Sequence, residues 1–583
     1  QQAPGKALNT VRQMIQKTVF SLPPNSMLRQ LLLRSYERGQ ILLHGGVDNN
    51  SIRNSHQSII AARDQLLGEK PLLSCEDLPE LDISIVVYNS ERWIESFVSS
   101  LEAQDYPLDK LHLVFVDNGS TDNTADCLEQ IDWSAFGSFR CLKNTNVGYG
   151  EGHNRGIAEG VQPFFLVTNI DLQFLQDSLR QAVSFASQDE ADVASWELRQ
   201  APFEHPKFYD PVTLQTAWSS HACILMRRKV FEAAGGYERR IFMYGEDVEL
   251  SYRFRSLGYK LRYLPAASVD HFTYEEAGEV KPLQYSGSTL ANAYLRLRYG
   301  SLVDAMAIVP MYSHLLVGSG GVAEHRKLIW INLLKIFQNG TYFLGRRKES
   351  GAFSFRGWDY EIVRDGAFYE NHRLKDVCPL VSVVTRTYRG REKLLAQCLQ
   401  SVAHQTYPNV EHIIVEDGGA TMRPLIECFK TSYPGAEIKH VSLEKVGRCR
   451  AGNTGLEASQ GKYIAFLDDD DLFFLDHLEV CVSELESDES VSAAYALAWE
   501  VETEFDGPSY KERSHATPAV LHQCFDRNVL HDHNYIPIQA IVFERTLFEE
   551  HGGFDPDLEN LEDWNLWIKF ASNASFKMIE KTT

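Results

Sequence analysis

Short apolar runs rich in β-branched residues recur along the chain and alternate with longer amphipathic segments. Three of these runs lie in each half of the sequence, at residues 83–87, 113–116 and 164–167, and at residues 381–384, 412–415 and 463–467. Runs of this length and composition predict buried strands, and the segments between them predict helices. The alternation indicates βαβ units, which build a mostly parallel sheet covered by helices.

The two halves of the chain also repeat each other. An offset of 299 residues superposes Gly119 on Gly418 and Asp171 on Asp470, and a slightly longer offset later superposes two Glu-Asp pairs. Solenoid repeats have periods of about 20 to 50 residues, far shorter than this one. We therefore interpret the pattern as the duplication of a whole domain, with an insertion between shared elements.

These patterns predict an α/β protein with two tandem Rossmann-like domains, at residues 81–275 and 379–583. Residues 1–80 predict a helical N-terminal segment, and residues 276–378 predict a helical connector. The chain has no initial Met and stops abruptly at Thr583, which suggests a piece cut from a longer protein.

Two basic segments stand out from these helical regions. Residues 1–44 contain six Lys or Arg side chains and one Glu, and the connector contains Arg346-Arg347-Lys348. Such clusters are typical of solvated helix faces and equally of contacts with an anionic membrane. Both interpretations stay open at this point.

Composition and charge exclude several classes of protein. Hydrophobic residues make up 44% of the 583 residues and charged residues 23%, as in ordinary globular proteins. The formal net charge of -22 disfavours nucleic-acid binding, which needs an excess of Lys and Arg. Ten scattered cysteines indicate neither a disulfide framework nor a zinc site, and no uninterrupted apolar run is long enough to cross a membrane. A reducing cytoplasmic location fits best.

The candidate chemistry is clearest in the second half. The apolar run at residues 463–467 ends in four adjacent carboxylates, Asp468 to Asp471. Ligands of open α/β sheets bind beyond the carboxyl ends of the strands, and clustered carboxylates suit Mg²⁺ or Mn²⁺ bridging a diphosphate. Acidic clusters also cap helix N-termini. The repeat favours the metal-binding interpretation.

The order of motifs resembles the inverting family 2 glycosyltransferases. The second copy carries this resemblance in Val381–Thr385, Val415–Gly419, Asp468–Asp470 and Glu562–Trp564. The first copy carries it in Ile83–Asn89, Val116–Asp122, Asn146–Gly156, Asn169–Asp171 and the segment from Gly235 through Asp247. The two resembling stretches together cover about two thirds of the chain.

The resemblance implies a GT-A fold, a nucleotide-diphosphate sugar donor, a divalent Mg or Mn cofactor and inversion at the anomeric carbon. Residues expected to contact the donor are Asp117, Asn118, Glu416 and Asp417. Residues expected to hold the metal are Asp171, Asp468, Asp469, Asp470 and His271. The bases expected to deprotonate the acceptor hydroxyl are Asp247 and Asp563, with Glu246 and Glu562 orienting the acceptor or the base.

Glycine-rich stretches in both copies could let backbone amides approach the nucleotide, although glycines also serve as turns. Basic side chains within them could offset the diphosphate charge, and the candidates are Arg155, Arg448 and Arg450. Trp564, Trp567 and Tyr252 could stack on sugars, although aromatic residues at helical spacing are more often core.

Two features depart from the family pattern. Asn169-Ile170-Asp171 keeps one carboxylate of the usual motif, as in rhamnosyltransferase-like relatives, so we expect weaker metal binding in the first copy. His271 resembles a late histidine that reaches the metal in this family, yet a lone histidine is often structural. Its equivalent in the second copy would lie beyond Thr583.

The sequence thus predicts a bifunctional transferase that extends a bacterial polysaccharide of the O-antigen or capsule type. The acceptor would be an oligosaccharide or a lipid-linked glycan, and residues 1–44 would hold the protein at the inner face of the cytoplasmic membrane. One alternative is a single active transferase whose first copy is a glycan-binding module. Another is a nucleotidyltransferase, which the two Glu-Asp pairs disfavour.

Overall fold

Each half of the chain forms one large sheet flanked by helices. The computed structural model describes residues 54–205, 207–272, 281–317, 322, 324–346, 364–366, 369, 378–507 and 509–583. Residues 1–53 of the expected helical N-terminal segment, with its basic residues within 1–44, lie outside these described residues, as do Arg347 and Lys348. In the described remainder of that segment, residues 54–80, the helical residues are Asn54–Ala61 and a short turn at Ala62–Asp64.

The first half begins with a short helix and continues with eight strands and six helices. In chain order these elements are α1 (Asn54–Ala61), β1 (Leu81–Val87), α2 (Glu91–Glu102), β2 (Leu111–Asp117), α3 (Thr124–Gln130), β3 (Ser138–Lys143), α4 (Tyr149–Ala158), β4 (Phe164–Thr168), β5 (Leu172–Phe174), α5 (Ser178–Gln188), β6 (Val193–Ala201), β7 (Cys223–Arg227), α6 (Arg228–Ala234), α7 (Glu246–Ser256) and β8 (Lys260–His271).

The described part of the connector contains four helices between residues 282 and 345. It contains α8 (Pro282–Tyr299), α9 (Leu302–Met306), α10 (Ile308–Val317) and α11 (His325–Gly345). These helices share a small core in which the ring of Tyr294 stacks on that of Phe343, with centroids 4.1 Å apart. In the described part of the chain, no helix has the length and apolar character needed to span a bilayer.

The second half repeats the plan of the first. Its elements are β9 (Val381–Thr387), α12 (Glu392–Ala403), β10 (Val410–Asp417), α13 (Arg423–Ser432), β11 (Glu437–Leu443), α14 (Arg448–Ala458), β12 (Tyr463–Phe466), α15 (His477–Ser487), β13 (Ala493–Leu497), β14 (Glu500–Asp506), β15 (Ser509–Ala516), α16 (Arg527–Asp532), β16 (Ile541–Glu544), α17 (Arg545–His551), α18 (Glu562–Phe570) and β17 (Phe576–Thr582). Strands β14 and β15 pair with each other as a separate hairpin.

The two sheets have the same topology over their shared strands. The first runs in the order β3-β2-β1-β4-β7-β6-β8-β5 and the second in the order β11-β10-β9-β12-β16-β13-β17. In each sheet the first four strands are parallel, and one antiparallel strand, β7 or β16, separates them from the rest. All six strands predicted from the sequence lie in these parallel blocks. The α/β class with two tandem, mostly parallel sheets is confirmed.

Residues shared by the two copies explain part of this likeness. In the first copy the Asn154 side chain accepts a hydrogen bond from Tyr237 N at 2.8 Å and donates one to Tyr237 O at 3.0 Å. In the second copy Asn453 makes the same two bonds with the backbone of Phe554. In each copy this asparagine therefore links a helix, α4 or α14, by two hydrogen bonds to the residue after a Gly-Gly turn. That turn precedes the Glu-Asp pair in the chain.

The two copies pack against each other through a buried charged cluster, which we call the interface cluster. It contains three cations and three anions, namely Arg199, Arg364, Lys581, Glu204, Asp476 and Glu479. Lys581 Nζ lies 2.6 Å from Glu204 of the first copy and 2.7 Å from Asp476 of the second. Because the charges balance and pair closely, their burial is tolerated.

Candidate functional site

The predicted site residues of each copy come from loops at the carboxyl edge of its sheet. Asp117 and Asp417 end β2 and β10, and the acidic motifs follow β4 and β12. The two Glu-Asp pairs begin α7 and α18. Parallel strands bring their carboxyl ends to one edge, so residues far apart in the chain meet there.

The acidic pair of the first copy occupies the first two positions of α7. The backbone turns sharply before it, with φ of 69° at Tyr244 and 92° at Gly245. Asp247 Oδ1 accepts a hydrogen bond from Val248 N at 2.8 Å. Burial raises the pKa of Asp247 to about 6, and burial together with the charge of Asp247 raises the pKa of Glu246 still further.

The acidic pair of the second copy has the same place on α18 but different neighbours. Leu561, with φ of 61°, precedes the helix, and Asn534 Nδ2 donates to Asp563 Oδ2 at 3.0 Å. Burial and the neighbouring Glu562 raise the pKa of Asp563. Glu562 Oε1 lies 3.3 Å from Arg386 and 3.4 Å from Arg448.

The two copies therefore offset the cost of burying the glutamate of the Glu-Asp pair in different ways. The strand register matches Arg386 with Val86, since Arg386 pairs with Val415 of β10 and Val86 pairs with the equivalent Val116 of β2. The 299-residue offset matches Arg448 with Tyr149, so neither arginine has a charged counterpart in the first copy. Glu246 lacks those arginine partners, and the raised pKa favours its neutral form. Arg386 was missed by the sequence analysis. The signal that could have found it is the replacement of an apolar strand residue by arginine between otherwise similar copies.

The structure brings the two predicted metal ligands of the first copy together. Leu172 of β5 pairs with His271 at the end of antiparallel β8, which places Asp171 Oδ1 3.5 Å from His271 Nε2. His271 Nδ1 lies 2.7 Å from Gln200 Oε1. With the proton on Nδ1, His271 donates to Gln200, and its Nε2 lone pair faces Asp171 and the Asn169 amide nitrogen, which lies 3.4 Å away. An imidazole nitrogen beside a carboxylate fits a divalent cation such as Mn²⁺.

The carboxylates of the second copy are paired with arginines. Arg386 binds Asp468 through a fork at 2.8 and 2.6 Å, and Arg391 lies 2.8 Å from Asp469 and 2.6 Å from Asp470. The negative charge of these adjacent carboxylates is thus partly neutralised by Arg386 and Arg391 of the same domain. Across the described residues, no three His, Cys, Asp or Glu side chains converge as a metal site. Diphosphate and water oxygens would complete the coordination of a cation held here.

The predicted donor residues of the first copy lie in the loop after β2. Asp117 Oδ1 accepts from Ser120 N at 2.8 Å, and Asn118 Nδ2 donates to Gly148 O at 3.0 Å. Arg155 is exposed on α4 and bonds Asn144. These contacts shape the loop that faces the carboxyl edge of the sheet.

In the second copy the corresponding donor residues, Glu416 and Asp417, make more hydrogen bonds within the protein. Glu416 accepts hydrogen bonds from Thr421 and Met422, and Asp417 bonds the Lys445 side chain at 2.7 Å. The structure brings Arg448 to Glu562, whereas Arg450 is exposed on the same helix.

Most of each glycine-rich stretch lies within a helix, α4 in the first copy and α14 in the second. Gly148 and Gly447 have φ of 92° and 91° and precede α4 and α14. A Cβ at Gly152 would meet Val86 and Asn118, so its glycine permits close packing of the helix on the sheet. Trp567 and Tyr252 are buried, which confirms a core role for Trp567 and excludes Tyr252 from stacking on sugars.

Comparison with known proteins agrees with this architecture. The family model described as glycosyl transferase family 2 matches residues 82–212 and 382–549, just over half of the chain. An uncharacterized glycosyltransferase of Rickettsia felis is 23% identical over 542 residues, which cover 88% of this chain and 80% of the relative.

Two further similarities concern shorter stretches. The uncharacterized glycosyltransferase YwdF of Bacillus subtilis is 32% identical over 205 residues, covering 34% of this chain and 70% of the relative. A solved mannosyltransferase from Pyrobaculum calidifontis, in complex with GDP-Man and Mn²⁺, is 14% identical with a TM-score of 0.33, over 57% of this chain and 90% of that one. With the family model matching twice and the topology duplicated, the chain belongs to glycosyl transferase family 2 and carries two copies of its domain in tandem.

Proposed function

We propose that both copies are active inverting glycosyltransferases, and that together they extend a bacterial polysaccharide by two different linkages. The observation that carries this proposal is the equivalent placement of Glu246-Asp247 and Glu562-Asp563 at the start of a helix in both copies. A binding module has no need for a half-buried aspartate with a raised pKa, which is typical of a base.

In each copy, the aspartate would accept the proton of the acceptor hydroxyl while that oxygen attacks the anomeric carbon of the donor. The new glycosidic bond forms as the bond to the nucleoside diphosphate breaks, with inversion at the anomeric carbon. Asp171 and His271 in the first copy, and Asp468, Asp469 and Asp470 in the second, would hold the divalent metal. That cation would stabilise the charge of the leaving diphosphate.

The proposed donors are nucleotide-diphosphate sugars, with a dTDP-rhamnose-like donor for the first copy. The proposed acceptor is an oligosaccharide or a lipid-linked glycan, such as an O-antigen or capsule precursor, at the inner face of the cytoplasmic membrane. One chain with two sites raises the effective concentration of the growing end at the second site.

A screen of nucleotide sugars with a synthetic lipid-like acceptor, read by mass spectrometry, tests this proposal. We expect two distinct mass increments that appear in alternation when both donors are present. Chelation of divalent metal should stop both additions, and Mn²⁺ or Mg²⁺ should restore them. A single increment under every donor pair would contradict bifunctionality and favour a first copy that only binds glycan.

The first copy should show a pH profile set by Asp247. Because burial raises the pKa of this carboxyl to about 6, the rate should rise with pH through that value and then level off. The carboxylate accepts a proton only when ionised, so kcat/KM should fall about tenfold for each pH unit below the midpoint. The measurement uses the Asp563→Asn variant, in which only the first copy transfers. A rate independent of pH across this window would rule out Asp247 as the base.

A further inference from the structure

The connector helices carry an exposed apolar face. On α11, Trp330, Leu334 and Phe337 follow at spacings of four and three residues, so they share one side of the helix. Their exposed fractions are 59%, 63% and 87%. Helices α9 and α10 add the exposed side chains Leu302, Val303, Met306, Val309 and Val317. Helix α10 packs against both α9 and α11. Exposed apolar side chains in this number on neighbouring helices usually mark a surface that contacts a partner or a membrane.

Contacts on the other side of α11 fix its orientation. Ile329 and Phe343 are buried against the connector core, and Asn332 Nδ2 donates to Ser286 O of α8 at 2.8 Å. If α11 turned about its axis to bring its exposed apolar side chains into the core, these contacts would break and Asn332 would become exposed. The outward direction of Trp330, Leu334 and Phe337 is therefore set by the packing of the helix.

The segment that carries this face has a net positive charge, whereas the whole chain has a net negative charge. Residues 301–346 contain four Lys or Arg side chains and two acidic ones, in a chain of net charge -22. The four basic side chains, Arg326, Lys327, Lys335 and Arg346, are all exposed on or beside α11. Tryptophan, large apolar side chains and flanking basic residues together are typical of helices at a membrane interface. An anionic lipid surface matches both the apolar and the basic components.

We propose that the face formed by Trp330, Leu334, Phe337 and the exposed side chains of α9 and α10 docks into the surface of an anionic phospholipid bilayer. The helices would lie along the interface, with apolar side chains at the headgroup boundary and basic side chains on lipid phosphates. This surface belongs to the connector and includes none of residues 1–44. Membrane docking itself does not depend on the proposed function. Its role in bringing the protein to a lipid-linked acceptor does rest on that function.

The connector links this surface to the first active site. Ala291 of α8 lies against Gly245, the residue that precedes the Glu246-Asp247 pair. Arg298 of α8 lies 2.6 Å from Glu249 of α7, and both side chains are buried. Docking through the connector would therefore hold the helix that carries the proposed base in a defined position relative to the membrane.

Cosedimentation of the full chain with vesicles tests the proposal. We expect binding to vesicles of phosphatidylcholine and phosphatidylglycerol, weaker binding to phosphatidylcholine alone, and a loss of this preference at high salt. Phe337→Glu should lower the vesicle-bound to free ratio about tenfold, and Leu334→Glu with Phe337→Glu should lower it further. Val161→Glu, at an 81% exposed valine outside the connector, is the matched control and should bind like the unmodified protein.

Vesicle binding is read without sugar donors, so its outcome is independent of whether either copy transfers sugar. Binding that survives both glutamate variants but disappears when residues 1–44 are removed would overturn the proposal. So would a dimer in the absence of vesicles that Phe337→Glu dissociates, because a second copy would then cover the face. Circular dichroism identical to that of the Val161→Glu control would show that the variants are folded.

Discussion

Asp247→Asn and Asp563→Asn should each stop the polymer after a different single sugar. The amide keeps the shape of the side chain but cannot accept the acceptor proton, so turnover at the altered site should fall by about 10² to 10⁴. Donor and metal binding should survive, because neither aspartate belongs to the predicted donor or metal residues. The products, separated by mass, would form two complementary series.

Mixing the two variants provides the control for this experiment. Each variant retains one intact site, so the mixture should restore some extension, whereas neither variant alone should extend beyond one addition. If Asp247→Asn left the polymer and its rate unchanged while Asp563→Asn abolished all transfer, the first copy would be a binding module. The bifunctional proposal would then be wrong.

The strands and the duplication could be predicted from the sequence because both leave local or periodic signals. The buried runs of β1, β2 and β4, and of their counterparts in the second half, stand out as β-branched segments bounded by polar motifs. The carboxyl ends of parallel strands then fix the edge at which the polar motifs lie. The meeting of Asp171 with His271 needed the antiparallel pairing of β5 with β8, which no spacing in the sequence reveals.

Contacts between distant side chains were the least predictable part. Arg386 lies on β9, two residues beyond the apolar run predicted at residues 381–384, and its side chain reaches both Asp468 and Glu562. The sequence left open whether the glycine-rich stretches present backbone amides or form turns, whereas the structure places most of each stretch inside α4 or α14, with positive φ at Gly148 and Gly447 just before these helices. The connector face also escaped prediction, since the same apolar pattern fits a buried helix until its packing partners are known.

The interface cluster should make Lys581 one of the most sensitive positions for stability. Burial favours the neutral form of Glu204, but Lys581 and Arg199 hold the pKa of this carboxyl well below its usual range. Lys581→Met would leave two cations facing three carboxylates, of which Glu204 and Asp476 are buried. Removal of one partner from a buried ion pair costs about 3 to 5 kcal/mol, so the first unfolding transition in urea should shift to a clearly lower concentration.

Lys577→Met is the matched control, because Lys577 is exposed on the same strand, β17. It should change stability by less than about 0.5 kcal/mol. Adding Glu204→Gln to Lys581→Met restores the charge balance of the cluster, so the double variant should recover part of the lost stability. A Lys581→Met protein as stable as the Lys577→Met control would show that the cluster relaxes or hydrates on losing a cation. The copies would then be held together by apolar contacts, such as those of Phe474 and Leu475 with the core of the first copy.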